Sequence, residues 1–320
     1  MLTYFLFPIL LCLNAPAVLG ANYALSEAII GPAFYDKFIW FYAADPSHGR
    51  VNYTDKDTSK RLNLTYVGKL EPSLQRSSRW ALRWTWSNAC TEFPTYASSN
   101  SFILRADYKT VLNPSGAGRN SVRTFVICLK DVVRTWPAIW ETKAAVWPTG
   151  GEVDVLEGVH GKAPNVATLH TTAERHLLPR TTAKAGVTSG SQRLKALVPA
   201  STRTGVDGLL WRGGQTFIKM WFWHRMSGNV PAFISNPTEK LNTDGWGTPA
   251  AFFPNTTCDM TKHFMDHHII INLTFCGDWA GPAYASSGCP TTCADFVNKN
   301  TDYFKDAYFD IAAVRIYKQA

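Results

Sequence analysis

The stretch that decides the fold is Gly150-Gly151-Glu152-Val153-Asp154-Val155-Leu156-Glu157-Gly158, where acidic and apolar residues alternate between glycines. Alternation with a period of two is typical of a β-strand that packs one face against a core. The stretch therefore predicts a strand with an apolar face turned inwards and an acidic face turned towards a cleft or solvent.

Three acids within six residues set this strand apart from its neighbours. On a regular strand Glu152 and Asp154 share one face, whereas Glu157 would point to the other face. One additional residue in the strand, a β-bulge at Val155 or Leu156, would bring Glu157 round to join them. We therefore expect a bulge there and three carboxyl groups on one surface.

Carboxyl groups that lie close together change each other's pKa, because a second negative charge disfavours ionisation. One carboxyl can then stay protonated as a general acid while another is ionised as a nucleophile, the pair that retaining glycoside hydrolysis requires. The acids alone leave two other interpretations open: a solvent-facing strand, or a calcium site built from carboxylates.

Short β-branched and aromatic runs between Gly, Pro, Asn and Asp recur along the chain, and few segments show the repeat of an amphipathic helix. This pattern predicts an all-β sandwich or jelly roll. The run from Phe217 to Trp223 is apolar except for Lys219, as expected for a strand covered on both faces. Further predicted strands are Ser101–Ala106, Glu152–Val159, Thr216–Trp223, His268–Cys276 and Tyr308–Tyr317.

The chain has 320 residues, 46% of them hydrophobic, which is enough for one large core. Met1 to Gly20 holds an apolar run followed by small residues, which predicts a secretory signal and a single mature domain over residues 21–320. A buried N-terminal segment is the alternative. The formal net charge of +8 is uneven, because residues 174–212 hold seven Arg or Lys. Without a nucleic-acid motif, this segment is interpreted as a solvated basic loop.

A secreted chain folds in an oxidising compartment, where disulfides are expected. The credible cysteines are Cys258, Cys276, Cys289 and Cys293, which allow three pairings that the sequence does not distinguish. A zinc site is the alternative, but these four show no paired CxxC and no His at ligand spacing.

Asn-x-Thr sites predict glycans on exposed loops of a secreted protein. They occur at Asn52, Asn63, Asn255 and Asn272. Asn272 lies inside an apolar, strand-like run, so we do not expect it to carry a glycan.

Two tryptophan-proline segments precede the acidic strand: Trp136-Pro137-Ala138-Ile139-Trp140 and Trp147-Pro148-Thr149-Gly150-Gly151. Together with the stretch from Glu152 to Gly158 they resemble glycoside hydrolase family 16, and especially the fungal endo-β-1,3(4)-glucanases of the laminarinase group. The resemblance covers most of the mature chain. It continues through Ala43–Val51, Ala167–Thr171, Trp246–Pro249 and Cys276–Gly281 to the C-terminal strand.

The resemblance implies a concanavalin-like jelly-roll β-sandwich with a concave sugar-binding cleft. It implies that Glu152 is the catalytic nucleophile and Glu157 the catalytic acid/base, while Asp154 is an auxiliary that tunes the nucleophile. No metal ligand is implied, and because two carboxylates and water suffice for the reaction, no cofactor is expected; a structural calcium ion is not indicated.

The same resemblance matches Trp140 and Trp147 to substrate-binding tryptophans that stack on glucosyl rings. His170 matches a cleft histidine near the point of cleavage. Trp136, by contrast, is expected to be structural. Three segments depart from the family pattern: an insert at residues 67–96, a shortened stretch at 121–135, from which a strand that relatives hold is expected to be missing, and residues 173–212, where relatives carry cysteines.

These features predict a secreted, retaining endo-β-1,3(4)-glucanase that is extracellular or loosely associated with the cell wall. Its expected partner is a β-1,3 or mixed-linkage β-glucan, with no nucleic-acid or membrane partner and a monomeric state. Two alternatives remain: a non-catalytic or impaired β-glucan-binding protein, and a glucan transglycosylase on the same fold.

Overall fold

The computed structural model of the protein describes residues 22–68, 101–115, 119–121, 135–161, 164–172, 191–198, 206–224, 229–256, 258–305 and 307–320. The predicted signal and most of the segments 67–96 and 121–135 lie outside these residues, as do Cys90 and Cys128. Within the described part, no helix combines the length and the apolar character needed to span a membrane.

The described residues form sixteen β-strands and six short α-helices. In chain order the strands are β1 (Asn22–Ile29), β2 (Val51–Tyr53), β3 (Thr65–Val67), β4 (Phe102–Arg105), β5 (Arg119–Ser121), β6 (Trp136–Thr142), β7 (Glu152–Glu157), β8 (Asn165–Thr172), β9 (Ser191–Val198), β10 (Val206–Gly213), β11 (Phe217–His224), β12 (Lys240–Asn242), β13 (Ala251–Pro254), β14 (His268–Thr274), β15 (Tyr308–Ile311) and β16 (Val314–Gln319). The helices are α1 (Phe34–Lys37), α2 (Lys56–Arg61), α3 (Ala232–Ser235), α4 (Met260–His263), α5 (Gly277–Tyr284) and α6 (Cys293–Lys299).

A five-stranded antiparallel sheet holds the acidic stretch in its central strand, in the order β14-β6-β7-β8-β9. Three three-stranded antiparallel sheets accompany it, in the orders β12-β1-β16, β10-β11-β13 and β15-β4-β3. The remaining pair, β2 with β5, is parallel. The architecture is the all-β jelly roll that the sequence predicts.

Strand β11 is covered on both faces, as its apolar run predicts. Ile218 and Met220 belong to the large core cluster that also contains the apolar residues of β7. Trp221 and Trp223 belong to a second cluster, in which their rings meet Trp246 edge-on. Alternate residues of one strand therefore enter two different apolar layers, which explains why the run lacks a polar face.

Two predictions about strands require correction. The predicted run Tyr308–Tyr317 is two strands, β15 and β16, which are separate because they pair with β4 and β1 respectively. The interpretation of residues 174–212 as a solvated loop is wrong in part, since β9 and most of β10 lie within it. In β9 the apolar residues alternate with Arg193 and Lys195, a strand pattern that the concentration of charge obscured.

One disulfide lies within the described residues and joins Cys276, which immediately precedes α5, to Cys293, the first residue of α6. This settles part of the pairing that the sequence left open. Cys289 carries a free thiol and Cys258 is buried. The bridge ties together the two helices that follow β14, and α5 carries Trp279, whose ring meets that of Trp136 in β6.

We expect that replacing both bridged cysteines, Cys276→Ser with Cys293→Ser, lowers the free energy of unfolding. The bridge spans 17 residues, and closing a loop of that length stabilises a fold by about 3 kcal/mol. Denaturant titration of the double variant measures the loss. Cys289→Ser is the control for removing a thiol without a bridge, and equal unfolding free energies for the two variants would contradict the prediction.

Candidate active site

Strand β7 contains the predicted bulge. In its pairing with β6, Asp154 lies opposite Trp140 and Leu156 lies opposite Ile139, which leaves Val155 as the additional residue. The pairing of β7 with β8 shifts at the same place. The side chains of Val155 and Leu156 are both buried in the core. The prediction of a bulge at one of these two residues is therefore confirmed, at Val155.

The three acids lie close enough for their charges to act on one another. Asp154 and Glu157 are 4% and 7% exposed, and the side chain of Glu152 is 16% exposed. Burial is the largest cause that raises the pKa of Glu152 to about 8, and the charges of Asp154 and Glu157 raise it further, whereas His170 and Trp147 lower it. The group as a whole therefore holds a proton at neutral pH, as a pair of acid and nucleophile requires.

Ring nitrogens of Trp147 and His170 lie next to the carboxyl groups of Glu152 and Asp154. Trp147 Nε1 donates to Glu152 Oε2 at 3.1 Å. The ring nitrogen His170 Nε2 lies 3.0 Å from Asp154 Oδ2 and 3.5 Å from Glu152 Oε1. In the register of β7 with β8, His170 lies directly opposite Glu152. The structure thus brings Trp147 and His170 to the acids, as the sequence predicts.

Trp136, which we expect from the sequence to be structural, contacts one of the acids directly. Its Nε1 donates to Glu157 Oε1 at 2.8 Å, and its ring meets Trp279 of α5 edge-on at 5.8 Å between centroids. Its position contained a signal, because Trp136 and Trp140 lie four residues apart on one strand and so share a face. Trp136 therefore belongs with the acids.

Trp140 lies beside the acids on the neighbouring strand and is held by Asn272 of β14. Trp140 Nε1 donates to Asn272 Oδ1 at 2.8 Å. The amide nitrogen of Asn272 donates to Tyr53 Oη at 2.9 Å and to Thr274 Oγ1 at 2.8 Å. This buried, fully engaged amide agrees with the expectation that Asn272 carries no glycan.

The acids and their partners can also be considered as metal ligands. One ligand atom each from Glu152, Asp154 and His170 lies within 4.8 Å of the others, close enough to surround an ion. His170 Nε2, however, already lies at hydrogen-bond distance from Asp154. The expectation that the reaction needs no metal or cofactor stays a prediction.

The fold and these acids define a class of protein. A family profile described as "XgeA-like, catalytic GH16 domain" matches residues 86–206 and 205–317. The chain therefore belongs to glycoside hydrolase family 16.

Individual relatives agree with this assignment. A probable endo-1,3(4)-β-glucanase of Aspergillus clavatus is 29% identical over 332 residues, which cover 93% of this chain and 46% of the relative. A probable glycosidase of Schizosaccharomyces pombe is 30% identical over 95% of this chain and 71% of its own length. The chain thus spans less than half of the Aspergillus relative.

Solved structures show the same fold. A mutant laminarinase 16A that cyclizes laminariheptaose superimposes with a TM-score of 0.73 at 38% identity, covering 93% of this chain and 100% of that chain. Laminarinase 16A from Phanerochaete chrysosporium, with two β-glucans in donor and acceptor sites, gives 0.72 at 39% identity with the same coverage.

We predict that Asp154→Asn lowers the pKa of Glu152 from about 8. The substitution removes the nearest negative charge, so ionisation of Glu152 becomes less unfavourable while its burial is retained. Titration of side-chain carboxyl carbons by ¹³C NMR measures the change, with Asp266→Asn, an exposed acid paired with Lys143, as the control. A pKa that stays near its original value would show that burial alone sets it.

Proposed function

We propose that this chain is a secreted, retaining endo-β-1,3(4)-glucanase that hydrolyses β-1,3 or mixed-linkage β-glucan. The observation that carries the proposal is the bulged strand β7, which gathers Glu152, Asp154 and Glu157 beside Trp140 and Trp147. Laminarinase 16A, at 39% identity, has β-glucans in its donor and acceptor sites, and this supports a glucan substrate.

In the first step, the ionised carboxylate of Glu152 attacks the anomeric carbon while Glu157 gives its proton to the leaving glycosidic oxygen. The products are a glycosyl ester on Glu152 and a shortened glucan with a new hydroxyl. In the second step, Glu157 takes a proton from water, whose oxygen attacks the anomeric carbon and releases Glu152. Two inversions at one carbon retain its configuration.

The environment of each acid suits these roles. Glu152 must be ionised to attack, and the ring nitrogens of His170 and Trp147 both lower its pKa against the effect of burial. In the productive state the proton of the cluster lies on Glu157, whose Oε1 accepts the bond from Trp136. Asp154, held by His170, keeps a second negative charge next to the anomeric carbon, where positive charge develops in the transition state.

The tryptophans provide the contact with the sugar rings. Trp147 is 52% exposed although its indole nitrogen is bound to Glu152. A flat aromatic ring offers an apolar face to the C–H face of a pyranose. We therefore assign Trp140 and Trp147 to glucosyl binding near the carboxyl group that forms the ester. We further propose a monomeric, cofactor-free enzyme that is extracellular or loosely wall-associated.

Transglycosylation is the second candidate. A chain described as an elongating family 16 β-1,3-glucosyltransferase superimposes with a TM-score of 0.71 at 26% identity, covering 92% of this chain. In that reaction a sugar hydroxyl, in place of water, resolves the same glycosyl ester. A non-catalytic glucan-binding role is less well supported, because all three acids are in place and the charges of Asp154 and Glu157 act on Glu152.

Replacing the two catalytic carboxyls tests the proposal directly. We expect Glu152→Gln to abolish release of reducing sugar from laminarin and barley mixed-linkage glucan, because no glycosyl ester can form. Glu157→Gln should lower kcat on the order of 10²- to 10⁴-fold by removing general acid/base catalysis.

In ¹H NMR of the wild-type reaction the β-anomer should appear first. An initial α-anomer would refute retention, and longer oligosaccharides from laminariheptaose would indicate transglycosylation.

Trp136→Phe tests the bond to the acid/base. The variant keeps an aromatic ring against Trp279 but loses the N–H that holds Glu157, so we expect kcat to fall on the order of tenfold, the equivalent of one hydrogen bond. Trp221→Phe is the matched control, since Trp221 Nε1 donates to the carbonyl oxygen of Gly247 at 3.0 Å in the separate Trp223–Trp246 cluster. Equal kcat values in the two variants would assign Trp136 a structural role only.

A further inference from the structure

The turn that leads into β7 is bound by two histidines from the segment before β14. His263 Nδ1 lies 2.8 Å from the carbonyl oxygen of Thr149, and His267 Nε2 lies 2.7 Å from the carbonyl oxygen of Gly150. A carbonyl only accepts hydrogen bonds, so both ring nitrogens carry the proton and donate. Two successive peptide groups are thus fixed by imidazoles more than 100 residues away in sequence.

The next peptide group is held as well. Thr142 Oγ1 of β6 donates to the carbonyl oxygen of Gly151 at 2.7 Å. Gly151 has a φ of +75° and packs on the backbone of His263, where a Cβ would lie 2.2 Å from the carbonyl oxygen. Only glycine allows this close approach, so the turn and the histidine segment fit each other closely.

His267 has carbonyl acceptors at Nε2 and a carboxylate at ion-pair distance from Nδ1. Besides Gly150, its Nε2 lies 3.2 Å from the carbonyl oxygen of His263, and its Nδ1 lies 3.7 Å from Glu141 Oε1. Burial would lower the pKa of His267, but Glu141 and the two carbonyls outweigh it and raise the pKa. Protonation of His267 is thus favoured by groups on both sides of the ring.

The bound turn carries the reacting group. Glu152 follows Gly151 directly, and Trp147, which donates to Glu152, opens the same turn. Both histidines bind carbonyl groups of this turn, so their effect on the reaction would pass through the backbone of residues 147–151.

We propose that His263 and His267 are positioning residues of the glucanase reaction. They hold the turn from Trp147 to Gly151 so that the Glu152 carboxylate and the Trp147 ring stay aligned with the anomeric carbon and the sugar face. This inference rests on the proposed function. It identifies a contribution to catalysis from a segment remote in sequence from the acids.

Paired variants separate positioning from mere packing. His263→Asn and His267→Gln place an amide N–H near the lost Nδ1 and Nε2 donors, respectively, whereas His263→Leu and His267→Leu fill the space without a donor. We expect the leucine variants to lose on the order of 10- to 100-fold in kcat, as for a displaced reacting group. The amide variants should recover most of it. A leucine variant should also move the acid limb of the kcat/KM profile, because Glu152 shifts relative to Asp154.

Tyr284→Phe is the control, since it removes a hydroxyl that donates to the carbonyl oxygen of Pro290 at 2.8 Å, away from the turn. If that control loses as much kcat as the leucine variants, or if amide and leucine variants are equal, the proposal is overturned. If the leucine variants do not fold, Thr142→Val tests the proposal in their place, because it removes the hydroxyl that donates to the Gly151 carbonyl of the same turn. An unchanged kcat in a folded Thr142→Val would then count against positioning.

Hydrogen exchange keeps this inference distinct from the proposed function. If wild-type protein releases no sugar, the glucanase proposal fails, but the amides of residues 150–153 should still exchange faster in the leucine variants than in Tyr284→Phe. Unchanged exchange in this segment would overturn the positioning role whatever the activity.

Discussion

The candidate site depends on one additional residue, Val155, in the central strand of the five-stranded sheet. Without it, strand alternation would send Glu157 to the apolar face, beside Val153 and Leu169 in the core. With it, the acidic face of β7 presents three carboxyls and the apolar face remains continuous. A single irregularity in the strand therefore reconciles an apolar core with a cluster of acids.

Burying these acids costs free energy, and hydrogen bonds from the neighbouring rings reduce that cost. Carboxylates that are mostly removed from water favour their neutral form, and the raised pKa of Glu152 expresses this. Indole and imidazole nitrogens from β6, β8 and the turn before β7 supply the hydrogen bonds that water would provide. Trp147, one of these rings, is also 52% exposed and is one of the two that we propose to meet a sugar, so the stability of the acids and the proposed binding share a residue.

Much of this was readable from the sequence. The alternation of β7 and the position of Glu157 five residues beyond Glu152 predicted both the strand and its bulge, because a two-residue period admits few other solutions. The contact of Trp136 with Glu157 was not predicted because a tryptophan in a β protein is usually core, although its spacing from Trp140 carried the signal. The histidines at positions 263 and 267 gave no signal, since their contacts join segments far apart in the chain. The charged residues of β9 obscured its strand pattern. The sequence did not distinguish the possible cysteine pairings, of which the structure shows Cys276 with Cys293.

The buried amide of Asn272 has a consequence for how such a chain would mature. An Asn-x-Thr sequence is open to glycosylation while the chain is still extended, before any sheet exists. A glycan attached there would block the bonds to Trp140, Tyr53 and Thr274 and keep β14 from pairing with β6. In a secretory pathway, the pairing of β14 with β6 would therefore compete with transfer of a glycan to Asn272. Only chains in which the strands pair first would form the cleft.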